Sequence, residues 1–234
     1  RPGTMAISIG MLLSALAMTW HLVHFHYVKF NKESMYEVSK KIILLCIPLL
    51  LSAQFIAGIL NEALDLTDTN QELFISMSHN IFGVLSIAIV VPILEEVLFR
   101  GAIEGHLLRK GWSPKWAILV SALIFGIIHG NPAQIPFAFL IGLLFGWLYY
   151  RTGSLVPGIV GHIINNSFGA WTMFTATREE LSQTTMETLG TTITYILLVL
   201  AIIVFIGMYL YLNKYLPKPT NIQVKAINEQ DITI

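Results

Sequence analysis

The sequence predicts an all-α protein, a polytopic membrane bundle of about seven transmembrane helices. Of its 234 residues, 55% are hydrophobic and only 12% are charged, and the mean hydropathy is +0.68. This balance is typical of polytopic membrane proteins. Seven apolar segments fit the prediction, at about 7–25, 42–60, 81–100, 116–129, 136–150, 156–174 and 193–212.

Charge and cysteine content exclude several other classes of protein. The formal net charge is zero, so the chain lacks the basic surplus that nucleic-acid binding requires. Its single cysteine, Cys46, excludes an intrachain disulfide framework and a cysteine-based metal site. We therefore expect one integral membrane domain over residues 1–234, with a four-helix catalytic core at about 81–174 and a flexible cytoplasmic tail at 213–234.

The distribution of Lys and Arg predicts the orientation of the bundle in the cell membrane. These residues are concentrated in the connections after the first, third, fifth and seventh segments. The connections after the second and fourth segments contain none, and the connection after the sixth contains only Arg178. Because cytoplasmic loops are enriched in Lys and Arg, we expect the N-terminus outside and the C-terminus in the cytoplasm.

The third segment contains three charged residues at membrane depth, where an ionisable side chain is costly and usually functional. Glu96 and Arg100 have i, i+4 spacing with the acid first, which favours an ion pair. Glu95 lies about 100° around the helix and lacks that partner. Pro92 has no N–H, so an α-helical register would leave the carbonyl of Ala88 free and kink the helix before the acids.

Three further polar residues interrupt later apolar segments. His129 ends the fourth segment, and His162 and Asn166 have i, i+4 spacing on the sixth, with Asn165 close to the same face. Counted from the cationic connections, these residues and the glutamate pair reach a similar depth. We therefore expect the third, fourth and sixth helices to converge on one polar site.

This set of side chains is suited to peptide hydrolysis by water. A carboxylate and a histidine facing a buried water can act as a general base. A second histidine and an asparagine can donate hydrogen bonds to a developing oxyanion. No serine or cysteine nucleophile is needed.

The three patterns resemble a known family in their order and spacing. Glu95-Glu96-x-x-x-Arg100, Phe125-x-x-x-His129 and His162-x-x-x-Asn166 match the motifs EExxxR, FxxxH and HxxxN. These are similar to the motifs of the CAAX-protease and bacteriocin-processing (CPBP, or Abi) family of intramembrane proteases. The resemblance covers the predicted four-helix core at about 81–174.

The resemblance implies an activity and a role for each motif residue. Glu95 and His129 would activate water. His162 and Asn166 would stabilise the oxyanion. Glu96 and Arg100 would organise the site. Eukaryotic relatives cleave prenylated CAAX proteins. Bacterial relatives are linked to peptide-pheromone maturation and bacteriocin immunity. The expected partners are a peptide or protein substrate at the membrane and the lipid bilayer, and no nucleic acid.

Three alternatives to a metal-independent protease stay open. A non-proteolytic immunity or interaction protein could keep the same fold. A small transporter could use buried acids to carry protons, but no convincing internal repeat supports it. A zinc protease could use His129, His162 and a glutamate as ligands, yet the HExxH pattern is absent. We expect no cofactor, and zinc is not favoured.

Overall fold

The computed structural model describes residues 2–28 and 38–216. Over these residues the chain forms helices and no strands, so the predicted all-α fold is confirmed. In chain order the helices are α1 (Pro2–His24), α2 (Lys40–Glu62), α3 (Gln71–Ser78), α4 (Ile81–Arg109), α5 (Pro114–Ile128), α6 (Ile135–Thr152), α7 (Val156–Thr175), α8 (Arg178–Ser182), α9 (Thr185–Leu189) and α10 (Thr191–Tyr215).

Each of the seven predicted apolar segments lies within one helix, to within a residue at its ends. Five of these helices, namely α1, α2, α4, α6 and α10, are long and apolar enough to cross a membrane. Helix α5 is apolar but has only 15 residues. Helix α7 has 20 residues and contains His162, Asn165 and Asn166, and it is not among these five. The chain is a multi-pass membrane protein, and membrane crossing by α5 and α7 stays a prediction.

Helix α4 is the central element of the bundle, and two stretches of it are wound as π-helix. These stretches are Ser86–Val90 and Val97–Glu104. Helix α4 packs against α1, α5, α6 and α7. Helix α2 packs against α6, α7 and α10, and Leu49, Phe145 and Leu148 are fully or almost fully buried in the core between them. The outer faces of α1 and α10 carry many exposed apolar side chains suited to lipid contact.

The first π-helical stretch changes which carbonyl Pro92 leaves free. The Val91 N–H donates to the carbonyl of Ser86, five residues earlier. In this register the carbonyl of Ile87 would have to bond Pro92, which has no N–H. Asn166 donates to that carbonyl instead, at 2.9 Å. The prediction about the carbonyl of Ala88 assumed an α-helical register, whereas Ser86–Val90 is wound as π-helix.

The last helix continues past the predicted start of the tail. Helix α10 ends at Tyr215, and Leu216 is buried against the same core as Leu212. Arg151 at the end of α6 donates to the side chain of Asn213 and to the carbonyl of Leu216. These contacts extend the ordered helix beyond residue 212. The rest of the predicted tail, 217–234, lies outside the described residues, as does the cationic stretch 29–37.

The connection between α7 and α10 is built from two short capped helices. Thr177 and Thr184 begin them, each in a capping box with a glutamate three residues later. The threonine backbone N–H in each box holds the pKa of that glutamate, Glu180 or Glu187, below its ordinary value. The connection also contacts the second and third helices, through an Arg178–Glu72 ion pair and bonds from Thr185 to Glu62. It therefore lies over the ends of α2 and α3.

Candidate active site

A buried ion pair lies at the centre of α4, as the i, i+4 spacing predicts. Nη1 of Arg100 donates to Oε1 of Glu96 at 2.9 Å, and both side chains are 1% exposed. Nη2 of Arg100 donates to the carbonyl of Gly142 on α6 at 3.1 Å. The guanidinium lies over the ring of Phe125 on α5, 4.5 Å from its centroid. The ion pair therefore links α4 to both neighbouring helices.

One imidazole lies between the two adjacent carboxylates. Nδ1 of His162 is 3.2 Å from Oε1 of Glu96, and Nε2 is 3.4 Å from Oε2 of Glu95. His162 is buried, and its ring also contacts the rings of Phe125 and Phe145. Both ring nitrogens of His162 are thus engaged by carboxylates, which binds α7 to the centre of α4.

The second histidine keeps one nitrogen available. Nδ1 of His129 lies 2.7 Å from the carbonyl of Phe125 in the preceding turn. A carbonyl can only accept, so Nδ1 is the donor and the neutral ring has its lone pair on Nε2. His129 lines the same cavity as Glu95, but no hydrogen bond joins the two side chains in the described structure. A water molecule between them could contact both.

Two neighbouring asparagines on α7 form a short hydrogen-bonded chain. Nδ2 of Asn165 donates to Oδ1 of Asn166 at 3.0 Å, and Nδ2 of Asn166 donates to the carbonyl of Ile87. A primary amide has two N–H donors, so each asparagine keeps one for another partner. Asn165 is absent from the predicted set of site residues. The sequence did contain a signal for its role, because Asn165 lies one residue before Asn166 and three residues after His162.

These side chains surround a cavity of about 380 Å³. The four predicted catalytic residues all line it, namely Glu95, His129, His162 and Asn166. Asn165 lines it as well. Apolar side chains form most of the remaining wall, including Phe74, Ile141 and Met173. The predicted site-organising residues, Glu96 and Arg100, lie behind the wall in the buried ion pair. The result is a small apolar chamber with one polar side.

Glycines on the facing helices make room for the charged residues. A Cβ atom at Gly158 on α7 would lie 2.5 Å from Oε2 of Glu96. A Cβ atom at Gly142 on α6 would lie 3.2 Å from Nη2 of Arg100. In the structure these glycines allow helices to approach buried charges.

The turn that follows His129 is held by a polar clamp. Asn131 is fully buried, and its Nδ2 donates to Oδ1 of Asp68 at 2.7 Å. The Thr69 N–H donates back to Oδ1 of Asn131 at 3.1 Å. Gly130 has a φ of +59°, which favours glycine in this turn. The clamp ties the α5–α6 turn, and hence the end of α5, to the α2–α3 connection.

The described residues offer no ready-made metal site. Among them, no group of three or more His, Cys, Asp or Glu side chains is arranged to hold a metal ion. His162 would be the central ligand of the zinc alternative, but both of its nitrogens already face carboxylates. The donor set therefore does not fit zinc in this arrangement. Independence from metal stays a prediction about the reaction.

Comparison with known proteins was made against family models, curated proteins and solved structures. Residues 77–168 match the family model described as type II CAAX prenyl endopeptidase Rce1-like. This match contains the EExxxR, FxxxH and HxxxN motifs. Over these residues, which make up less than half of the chain, the sequence is similar to the CPBP family. No solved structure gives a significant match.

Three curated relatives support the family. The putative membrane peptidase YdiL of Bacillus subtilis is 38% identical over 81 residues, covering 35% of this chain and 33% of the relative. The membrane-embedded CAAX protease MroQ of Staphylococcus aureus is 33% identical over 106 residues, covering 43% and 42%. The UPF0177 protein YxdF of Lactococcus lactis is 28% identical over 122 residues, covering 52% and 63%. The chain thus spans less than two thirds of each relative. Two of the three carry peptidase or protease names.

Proposed function

We propose that this protein is a CPBP-family intramembrane endopeptidase that hydrolyses a peptide bond of a membrane-associated peptide or protein. The observation that carries the proposal is the shared cavity of Glu95, His129 and the asparagine pair. It combines a carboxylate, a histidine nitrogen with a free lone pair and amide donors in one apolar chamber. These are the groups needed to activate water and to hold an oxyanion.

The attacking water is bound between Glu95 and His129 in this proposal. Oε2 of Glu95 faces His162, which leaves Oε1 to accept from water, and Nε2 of His129 can accept a second hydrogen bond. Two acceptors orient the water and leave an oxygen lone pair directed into the chamber. As the water attacks the carbonyl carbon of the peptide bond, the proton of the water passes to the acid–base group formed by Glu95 and His129.

The oxyanion is held by asparagine amides rather than by His162. The family resemblance assigns oxyanion stabilisation to His162 with Asn166. In this geometry both nitrogens of His162 contact carboxylates, so the ring is better placed to hold Glu95 and to share its proton. The unused N–H donors of Asn165 and Asn166 remain for the developing charge.

Collapse of the tetrahedral intermediate completes the reaction. The proton taken from water is returned to the leaving nitrogen, and the C–N bond breaks. The products are a carboxylate and an amine, with the enzyme restored. The mostly apolar lining of the chamber strengthens the electrostatic interactions within it.

The relatives support a substrate at the membrane. MroQ is named a membrane-embedded CAAX protease, and the matched family is described as type II CAAX prenyl endopeptidase. We extend a CAAX-protease-like activity to this chain on that basis. A role in peptide maturation or bacteriocin immunity is a further proposal. We also propose that the N-terminus is outside the cell and the C-terminus is in the cytoplasm.

Peptidomics of membranes tests the proposal directly. Cells producing the wild type should accumulate one or more cleaved peptides that are absent with Glu95→Gln. The matched control is Glu179→Gln, the same chemical change at an exposed position on α8, which should leave the peptides unchanged. Identical peptide profiles for wild type and Glu95→Gln, at equal protein levels, would favour the non-proteolytic interaction protein instead.

A further inference from the structure

Two amide side chains line the chamber without taking part in the proposed reaction. Asn70 immediately precedes α3, Gln134 immediately precedes α6, and both belong to the cavity wall. Within the described part of the chain, every other polar residue of that wall belongs to the acid–base or the oxyanion groups. Asn70 and Gln134 therefore need an explanation of their own.

Helix capping does not explain either amide. A residue just before a helix often uses its side chain to accept from an N–H of the first turn, and asparagine is among the best at this. Neither Asn70 nor Gln134 makes such a capping bond, and neither side chain has a hydrogen bond to any other described residue. Their polar atoms are thus available to a molecule in the chamber.

The polar clamp at the α5–α6 turn holds the backbone of both residues. Oδ1 of Asp68 accepts from the Asn70 N–H at 2.8 Å and from Nδ2 of Asn131 at 2.7 Å. The carbonyl of Asn131 accepts from the Gln134 N–H at 2.9 Å. Three hydrogen bonds thus join the backbone at Asn70 to the backbone at Gln134. The two amides therefore belong to the same end of the chamber and are held there before any ligand binds, which lowers the entropy cost of binding.

Each amide is followed by an aromatic residue of the same wall. Phe74 lies four residues after Asn70, and Phe137 lies three residues after Gln134. Both phenylalanines line the cavity, as this spacing along a helix allows. This end of the chamber thus combines two amides with two aromatic rings, a surface suited to a peptide backbone that carries apolar side chains.

A peptide in the chamber needs partners for its backbone. Its scissile carbonyl can be attacked only where the helical hydrogen bonds are open, and an open backbone leaves N–H and C=O groups unpaired. Leaving them unpaired in apolar surroundings is costly. The described residues form no strand to which an extended peptide could add. A primary amide offers an acceptor and two donors, so it can pair with either backbone group.

We propose that Asn70 and Gln134 bind the backbone of an extended peptide substrate with apolar side chains. This inference rests on the proposed function and names the class of substrate. The two amides contact the peptide away from the scissile bond and take no part in activating water. Losing either one therefore weakens substrate binding and leaves the chemical step largely intact.

The main test measures the kinetics of Asn70→Leu and Gln134→Met on a peptide identified by peptidomics. Each change keeps the approximate size of the side chain and removes its hydrogen-bonding atoms. KM should rise by about 3- to 10-fold, the effect of one hydrogen bond, with kcat within about twofold of the wild type. Gln183→Met, the same change at an exposed position after α8, should alter neither. An unchanged KM in both variants would overturn the proposal.

Peptides with a single ester bond show whether the contacts are made to the backbone. Each peptide has one bond away from the cleavage site replaced by an ester, which removes one N–H, weakens one carbonyl acceptor and keeps every side chain. At one or more positions the ester should raise the wild-type KM by about 3- to 10-fold. Asn70→Leu or Gln134→Met should be insensitive to that same ester, because the contact is already lost. Equal sensitivity of the wild type and both variants at every position would refute a backbone contact.

Melting temperatures separate this inference from the proposed function. Because neither side chain pairs with a described residue, Asn70→Leu and Gln134→Met should keep the wild-type melting temperature or raise it. A clear fall in both would make the amides structural and refute the inference, even if the peptide is cleaved. If the wild type cleaves nothing, the proposed function fails, and unchanged melting temperatures still support amides that are free for a ligand. Alanine replaces leucine or methionine where the larger side chain prevents folding, and the same outcomes apply.

Discussion

Nε2 of His162 lies 3.4 Å from Oε2 of Glu95. The other ring nitrogen of His162 donates to Glu96, because that carboxylate is the ionised acceptor for Arg100. Nε2 and Oε2 would then face each other with lone pairs unless a proton lies between them. A proton between these two atoms would join Glu95 and His162 into one hydrogen-bonded acid–base pair.

The ion pair behind the site should be coupled in its effect on stability. Glu96→Gln or Arg100→Ala alone leaves the other charge buried without its partner, so each should cost about 3–5 kcal/mol. The double variant should lose less than the sum of the two single losses, since it strands neither charge. Thermal unfolding in detergent measures all three. Strictly additive losses would show that Glu96 and Arg100 do not act as a pair.

The glycine that faces Glu96 offers a steric test of the same arrangement. Gly158→Ala places a Cβ atom 2.5 Å from Oε2 of Glu96, so the carboxylate must move away from its contact with His162. We expect activity to fall by about 10- to 100-fold. Gly58→Ala is the matched control, because its Cβ meets no atom within 4 Å, and it should be neutral or slightly stabilising. Equal activity of both variants would mean that the position of Glu96 is unimportant.

Chelation distinguishes the two chemical versions of the protease. The nitrogens of His162 are directed at carboxylates, and water can be activated by Glu95 and His129 without a metal. Purified protein should therefore keep its cleavage rate after exhaustive treatment with a strong chelator. A chelated protein that is inactive and recovers with stoichiometric zinc would establish the metal-dependent mechanism.

Cysteine labelling tests the proposed orientation in the membrane. Thr67 and Ser113 are exposed in the connections after α2 and α4, and the buried Cys46 is first replaced by serine. From outside the cell, an impermeant thiol reagent should label Thr67→Cys and not Ser113→Cys. The connection after α2 carries no Lys or Arg, whereas Lys110 and Lys115 flank Ser113. Labelling of Ser113→Cys alone would reverse the orientation.

The sequence predicts the features that depend on local spacing. Hydrophobic segments of nearly membrane-spanning length identify the long helices. The i, i+4 rule predicts the Glu96–Arg100 contact, and equal depth in the membrane anticipates that His129 and His162 line one cavity with Glu95. Each of these depends on residue spacing along a helix, which can be counted from the sequence.

The remaining features depend on register and on contacts between helices. The π-helical winding of α4 cannot be counted from a 3.6-residue period, and it decides that Asn166 binds Ile87. The contacts of His162 with the carboxylates of Glu95 and Glu96 depend on how α7 is rotated about its axis relative to α4. The burial of Glu104 depends likewise on how α6 packs against α4, because Gly146 on α6 leaves room for its carboxylate.

The most direct test of the account measures peptide cleavage by purified wild type and Glu95→Gln alongside their melting temperatures. Glutamine occupies the same space as Glu95 but cannot take a proton from water. We expect the cleavage rate to fall by about 10²–10⁴-fold, the range attributed to general acid–base catalysis, with little change in melting temperature. A folded Glu95→Gln protein that cleaves at close to the wild-type rate would contradict the central claim that Glu95 activates the water.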